Sequence, residues 1–313
     1  MAAKKLGPEF TYDLSEFLKV DPNLVHYEEK TAVATGMKEP RGITVDAVDN
    51  LYVAGDRTVR WYGPDGLRIG EFKTADEPRC LAVALKDKTA TLYVAMRDHV
   101  ELYDAKGKRL ATWESAGSSA LFTGISVDAS GIAVPNAGTG GVADQVFVAD
   151  AGDRVVLHYE GPSGRLVRKI GQATSSKNAE GFIVPSPYFD VAVRPGGQIW
   201  VTNPGKRRVE LYSYNGEQCT VWGKASPKID GFCGCCNPTH LALLSDGRLV
   251  TSEKGLPRVK IYTQDGELAS VVAPPSAFAE GETGLDVATD SLGRILVLDP
   301  VAGKVRYFGR KGA

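Results

Sequence analysis

The sequence has almost no net charge and no long apolar run. Among its 313 residues, 37 Lys and Arg are balanced by 38 Asp and Glu, which leaves a net charge of −1. A chain without a basic excess has no general attraction for nucleic acid or anionic membranes, and no segment approaches the roughly 20 apolar residues that cross a bilayer. We therefore expect no nucleic-acid partner and no membrane span in this chain.

The sequence motifs of several enzyme classes are also missing. The chain has no P-loop, no G-x-S-x-G nucleophile elbow, no H-E-x-x-H zinc motif and no EF-hand loop. Its first residues, MAAKKLGPEF, lack the apolar stretch of a signal peptide. These absences favour a binding function and leave open whether the protein is an enzyme.

Internal repetition is the strongest pattern that the sequence does contain. Six segments begin with a β-branched run, pass a turn with Gly or Asp, and continue through further strands with period-2 alternation. The first residues of their opening strands are Gly42, Cys80, Gly124, Asp190, His240 and Asp286. Four-stranded units repeating about every 40 to 50 residues are typical of propeller blades. The predicted fold class is all-β, a six-bladed β-propeller of four-stranded antiparallel blades.

The last repeat predicts how the ring closes. Only 27 residues follow Asp286, enough for three strands, and the extended segment NLVHYEEKTAVAT can supply the fourth as its outer strand. Closure of this kind removes an open sheet edge. The expected organisation is an N-terminal extension, residues 1–22, and one propeller domain, residues 23–313. Two insertions, beginning ASGIAVPNAG and GQATSSKNAE, account for the long spacing between the third and fourth blades.

The repeat pattern resembles that of the NHL-repeat β-propellers over nearly the whole chain. The resemblance rests on stretches such as PRGITVD…NLYVAGD…VRWY and GLDVATDSLGRILVLD…KVRYF. It implies that the loop entering each innermost strand lies on the face where ligands meet the central channel. Similar propellers include RNA- and protein-binding modules, metal-dependent lyases and calcium-dependent hydrolases. The lyases bind zinc through several histidines, whereas only His240 opens a strand here, which disfavours that activity.

Three of the five cysteines lie within four residues. They belong to residues 231–240, GFCGCCNPTH, which we call the thiol loop. The thiol loop aligns without gaps to GFIVPSPYFD, residues 181–190, one blade earlier. It is therefore an ordinary blade-entry loop to which Cys233, Cys235 and Cys236 have been added. The alignment predicts three thiols and His240 at the mouth of the channel.

Three kinds of chemistry suit such a loop. Thiolates prefer soft metal ions, and the expected site is a Cu(I) site formed by Cys233, Cys235 and Cys236, with His240 and Cys80 beside it. Zinc or an iron–sulfur cluster is less favoured, because a structural zinc site usually draws a second ligand pair from another segment and a cluster needs four ligands.

Two alternatives to metal binding stay open. A Cys233–Cys236 or Cys235–Cys236 disulfide could serve redox or small-molecule chemistry, or the cysteines could be structural in a non-catalytic propeller that docks a protein partner. Copper handling and disulfides are common in exported proteins, so we expect an extracytoplasmic location, periplasmic or secreted.

Charged residues are predicted around the same mouth. Asp190 and Asp286 open innermost strands and could offer carboxylates to a ligand, while Arg41 and Arg79 precede such strands and could bind an anion. Lys254 belongs to the blade of the thiol loop, where a nearby cation favours thiolate. Other acidic residues are expected to pair with a base four or five positions later, as in Asp150 with Arg154 and Glu253 with Arg258.

Overall fold

The computed structural model describes residues 15–86, 89–130, 143–172, 181–194, 196–279 and 282–312. Within these ranges, 24 strands form six four-stranded antiparallel sheets arranged as the blades of a propeller. This confirms the predicted fold class. Short 3₁₀ helices span Ser15–Leu18, Pro22–Leu24, Pro204–Lys206 and Pro275–Ala277. None of the described helices is long and apolar enough to cross a membrane.

The strands are numbered along the chain, starting with β1 (Tyr27–Ala34). The first blade, from its innermost strand outwards, contains β2 (Pro40–Val45), β3 (Leu51–Gly55), β4 (Thr58–Tyr62) and β5 (Arg68–Lys73). The second contains β6 (Cys80–Lys86), β7 (Thr89–Ala95), β8 (Val100–Asp104) and β9 (Arg109–Thr112). The third contains β10 (Phe122–Asp128), β11 (Asp144–Asp150), β12 (Val155–Gly161) and β13 (Arg165–Ile170).

The remaining blades follow the same order. The fourth contains β14 (Val191–Arg194), β15 (Gln198–Asn203), β16 (Arg208–Ser213) and β17 (Gln218–Trp222). The fifth contains β18 (His240–Leu243), β19 (Leu249–Glu253), β20 (Arg258–Tyr262) and β21 (Leu268–Ala273). The sixth contains β22 (Val287–Thr289), β23 (Ile295–Asp299) and β24 (Lys304–Arg310).

The outer strand of the sixth blade comes from the other end of the chain. β1 pairs antiparallel with β24 in a register that runs from Tyr27 opposite Arg310 to Ala34 opposite Lys304. This confirms the closure predicted from the sequence, in which the N-terminal segment completes the last blade. Residues 1–14 of the predicted extension, and most of the two predicted insertions, lie outside the described residues.

The core lies between neighbouring blades. Because each sheet packs against a neighbour on both faces, middle strands such as β11 and β12 are buried along their whole length, while the outer strand β5 is largely exposed. Between the first two blades, for example, Tyr52 and Val59 pack with Leu92 and Val94. This packing holds the six innermost strands around the channel and presents their entry loops at its mouth.

Candidate functional site

The thiol loop leads from the outer strand of the fourth blade to the innermost strand of the fifth. Its base is held by backbone hydrogen bonds: the Phe232 N–H donates to the Lys224 carbonyl at 2.9 Å, and the Ser226 N–H donates to the Phe232 carbonyl at 3.1 Å. The buried Phe232 ring packs against Trp222 and Tyr262. An apolar anchor thus precedes the first cysteine directly.

A buried ion cluster lies beneath this loop. Glu253 at the end of β19 contacts Arg258 at 2.6 Å and Lys260 at 2.8 Å, and all three side chains are fully buried. Both cations also donate to the Gly231 carbonyl, at 3.2 Å and 2.7 Å, and Glu253 accepts from the Cys233 N–H at 2.9 Å. Removing one member of such a cluster leaves an uncompensated buried charge, so the loop is firmly connected to β19 and β20.

The charges of this cluster perturb one another. Burial acts to raise the pKa of Glu253, but Lys260 and Arg258 outweigh it and leave the pKa of that carboxyl below its usual value. Burial lowers the pKa of Lys260 to about 8, against the opposing effect of Glu253. Glu253 is therefore an ionised acceptor for the Cys233 N–H at neutral pH.

Asn237 connects the far side of the loop to the same blade. Its Nδ2 donates to the Cys233 carbonyl at 2.6 Å and to the Lys254 carbonyl at 3.0 Å, and its Oδ1 accepts from the Lys254 N–H at 2.9 Å. Gly234, at the bend between these contacts, has a φ of +75°, a conformation that favours glycine. The backbone on both sides of the cysteines is therefore fixed by hydrogen bonds.

The three loop cysteines differ in exposure. Cys235 is exposed, Cys233 is half-buried and Cys236 is buried, and all three are free thiols. The Sγ atoms of Cys235 and Cys236 are 3.1 Å apart. The hydrogen bond with Cys236 raises the pKa of the Cys235 thiol, so Cys235 is protonated at neutral pH until something displaces its proton.

The other two predicted metal ligands lie elsewhere. Cys80 lines the channel together with Asp190 and Asp286, and burial, followed by those two carboxylates, raises the pKa of its thiol. His240 lines a cavity at the channel mouth, without the cysteines. In the part of the chain that the structure describes, no three His, Cys, Asp or Glu side chains are grouped closely enough to hold a metal ion.

Asp190 and Asp286 connect neighbouring blades. Asp190 accepts from the Leu241 N–H of the fifth blade at 2.9 Å, and Asp286 accepts from the Ile43 N–H of the first blade at 2.8 Å. The second oxygen of each carboxylate accepts from the N–H of the next residue at 2.8 Å. Burial raises the pKa of both carboxyl groups. Four strand N–H groups are satisfied in this way.

The cavity at the channel mouth has a volume of 410 Å³, and we call it the mouth cavity. Its polar lining comes from Lys38, Glu39, Arg41, Arg79, Thr123, Tyr188, His240, Glu282 and Thr283. Both predicted arginines are present, so the structure brings Arg41, Arg79 and His240 into one site. Sequence reasoning missed Tyr188 and Glu282, which come from loops of other blades.

Lys254 contacts Tyr188, one of the residues that line the mouth cavity. Its Nζ donates to Ser186 Oγ at 3.0 Å and lies 4.8 Å from the centre of the Tyr188 ring. The Tyr188 ring in turn meets the His240 ring edge-on, with centroids 5.8 Å apart. Since Lys254 is also bonded to Asn237, a short chain of contacts joins the mouth cavity to the thiol loop.

No family model and no curated protein matches the sequence. Among solved structures, the chain is similar to a streptogramin B lyase, with a TM-score of 0.59 and 10% identity over 91% of this chain and 98% of that chain. It is also similar to virginiamycin B lyase from Staphylococcus aureus, with a TM-score of 0.56 and 12% identity over 90% and 99% of the two chains. A structural genomics protein of unknown function from Bacteroides thetaiotaomicron VPI-5482 gives a TM-score of 0.60 and 14% identity over 90% and 72%.

At 10 to 14% identity, these similarities concern the fold alone. They support the six-bladed propeller that the NHL-repeat resemblance implies, without assigning the chain to that family. What the described residues add is a pair of neighbouring sites on one face: a loop with three thiols and a cavity lined by arginines and a histidine.

Proposed function

We propose that the thiol loop binds a soft metal ion, Cu(I) first among them, through Cys235 and Cys236, and that the Cys233 side chain turns towards them to become a third donor when the ion binds. The observation that supports this most is the 3.1 Å contact between the Cys235 and Cys236 sulfurs, with Cys235 exposed to incoming ligand. Thiolate sulfur is the donor that Cu(I) prefers. His240 and Cys80 are left out of this ligand set because they line the mouth cavity and the channel.

The attachment of the loop supports the same proposal. Hydrogen bonds from Cys233 to Glu253 and from Asn237 to Cys233 hold the backbone around the thiols before any ion arrives. Less ordering is therefore left for the binding step, which favours affinity. With metal–sulfur bonds of about 2.3 Å, two sulfurs this close would make an acute S–metal–S angle and would cover only one side of the ion. A third thiol is therefore needed to cover the other side.

The test is a titration of reduced, anaerobically purified protein with Cu(I) in competition with a chromogenic chelator. We expect one Cu(I) per chain in the wild type and its loss in the Cys235→Ser/Cys236→Ser double variant. Cys219→Ser is the matched control, because it removes an exposed free thiol from β17. A wild type that binds no copper, or a double variant that binds it equally well, would contradict the proposal.

The same contact favours thiol–disulfide exchange as a second candidate function. A disulfide has its sulfurs about 2.05 Å apart, so Cys235 and Cys236 have little distance to close. In that reaction the two thiols lose two electrons and two protons to a disulfide substrate, which is reduced to two thiols. Oxidised glutathione should then lower the free-thiol count by two in the wild type and not in Cys235→Ser. An unchanged count in the wild type would exclude this candidate.

A further inference from the structure

The mouth cavity has positive charge that its described surroundings do not neutralise. Arg79 is half-buried, and its Nε donates to the Phe122 carbonyl at 2.9 Å, with no carboxylate partner among the described residues. Burial and the nearby Arg41 lower the pKa of Arg79. Arg41 itself contacts Glu39 at 2.7 Å, a pair whose side chains are 36% and 70% exposed and therefore weakly held. Two arginine side chains thus line one cavity.

His240 supplies a second and independent observation. Its side chain is 93% buried, with 7% of its surface exposed, and its Nδ1 has no hydrogen-bond partner in the described structure. A buried polar atom without a partner costs free energy, and folded proteins contain few of them. Because His240 lines the same cavity as the arginines, the missing partner and the unpaired charge belong to one site.

The two carboxyl groups in the lining do not cancel this charge. Glu39 is already paired with Arg41. Glu282 is buried, its Oε2 has no described partner, and burial raises the pKa of its carboxyl. The basic side chains of Lys38, Arg41 and Arg79 outnumber the two carboxyl groups of the lining.

We propose that the mouth cavity binds a small organic molecule through an oxyanion, a carboxylate or a phosphate, held by Arg79 and Arg41 beside the His240 ring. Guanidinium groups match the geometry of both oxyanions. The volume of 410 Å³ lies within the usual range of small-molecule sites, and Tyr188, Pro187 and Pro300 offer apolar surface to the rest of the molecule. This site goes beyond the metal function and does not depend on it.

Binding is tested with benzoate and phenyl phosphate, with neutral benzamide as the matched control ligand. Ligand-observed NMR titrations of the full chain should show saturable binding of at least one of the two anions, with benzamide at least about tenfold weaker. The anion that binds more tightly shows whether the site prefers a carboxylate or a phosphate. Absence of saturable binding by both anions, or equal binding of benzamide, would overturn the proposal.

The residues are tested by Arg79→Gln, which should weaken anion binding by about tenfold or more, and by Arg68→Gln, which should not change it. Arg68 is the control because it is an exposed arginine on β5, outside the cavity. If Arg79→Gln does not fold, Arg41→Gln decides the question, since unchanged anion binding there would contradict the proposal.

The Cys235→Ser/Cys236→Ser variant separates this site from the metal site. It should bind the anions as the wild type does, whatever the outcome of the copper titration. Loss of anion binding in that variant would overturn the independence of the two sites.

Discussion

The Asp286 carboxylate accepts a hydrogen bond from the Ile43 N–H, 2.8 Å away, across the junction between the last and the first blade. Asp190 makes the equivalent contact with Leu241 between the fourth and fifth blades. Side chains directly before the innermost strands β14 and β22 therefore join blades that share no sheet. The ring is closed twice, once on the outside by β1 and once at the channel by a carboxylate.

We expect Asp286→Ala to lower the free energy of unfolding by about 2–4 kcal/mol, because two N–H groups at the channel lose their acceptor. Urea unfolding measures the change. Asp265→Ala is the control, since Asp265 is exposed in a turn, and it should change stability by less than about 0.5 kcal/mol. Equal effects of the two substitutions would show that the carboxylate does not join the blades energetically.

Lys260→Met should destabilise the protein by about 3–5 kcal/mol and speed the alkylation of Cys233. The substitution removes the buried donor to Gly231 and leaves Glu253 with one cation fewer. Lys224→Met is matched to it, because Lys224 pairs with Asp230 near the same loop while both side chains are exposed. That variant should lose no more than about 1 kcal/mol. Similar losses of stability in the Lys260→Met and Lys224→Met variants would contradict the conclusion that the buried ion cluster stabilises the thiol loop.

The affinity of the thiol loop for Cu(I) should rise between pH 6 and pH 8. The hydrogen bond with Cys236 raises the pKa of Cys235, so metal binding must release protons, and affinity should increase about tenfold per pH unit for each proton released. Competition titrations at pH 6, 7 and 8 measure the slope. An affinity that does not change with pH would show that no thiol loses a proton when the ion binds, which would contradict this prediction.

His158 should contribute a loss of stability as the pH is lowered from about 6.5 to 4. His158 is fully buried, its Nε2 lies 2.8 Å from Gln145 Oε1, and burial lowers its pKa to about 4. Over this range the imidazole of His158 is protonated in the unfolded chain but not in the folded chain. This difference removes as much as about 3 kcal/mol of stability. His240, whose pKa burial also lowers, acts in the same direction. Asp190 and Asp286 act in the opposite direction, because burial raises their pKa and the folded chain binds protons there more readily than the unfolded chain does.

His158→Phe should remove this contribution, so that between pH 6.5 and pH 4 its free energy of unfolding rises relative to that of the wild type, as measured by urea unfolding at several pH values. The ring of the replacement can keep the stacking against Phe147, whose centroid lies 4.3 Å from that of His158. An unchanged slope in this variant would assign the acid sensitivity to other groups.

The sequence predicts the blades well because each blade repeats the same short-range pattern of alternating strands and Gly-containing turns. It also predicts the closing strand, since one blade lacks a strand and one extended segment lacks a partner. Local ion pairs are predicted less reliably. Glu253 does contact Arg258, but Asp150 accepts backbone N–H groups, among them that of Leu121, and forms no described pair with Arg154.

The candidate site could be predicted only in part. Alignment of two blade-entry loops locates the cysteines, because those loops share a frame. The alignment does not show that Lys260 is buried beneath the cysteines. Its partners Ile229 and Gly231 precede β18, whereas Lys260 lies on β20, two strands further along the chain. Nor does it show that His240 lines the mouth cavity with Tyr188, because that contact joins two blades.

The pairing of β1 with β24 has a consequence during synthesis. Tyr27 and Arg310 are opposite each other in the sheet but about 280 residues apart in the chain, so at about 5–20 residues per second the partner of β1 leaves the ribosome roughly 15–60 s after it. The first five blades can meanwhile form from neighbouring strands. Among the described strands, β1 is thus the one that the nascent chain must keep unpaired longest, and ring closure has to wait until β24 has been translated.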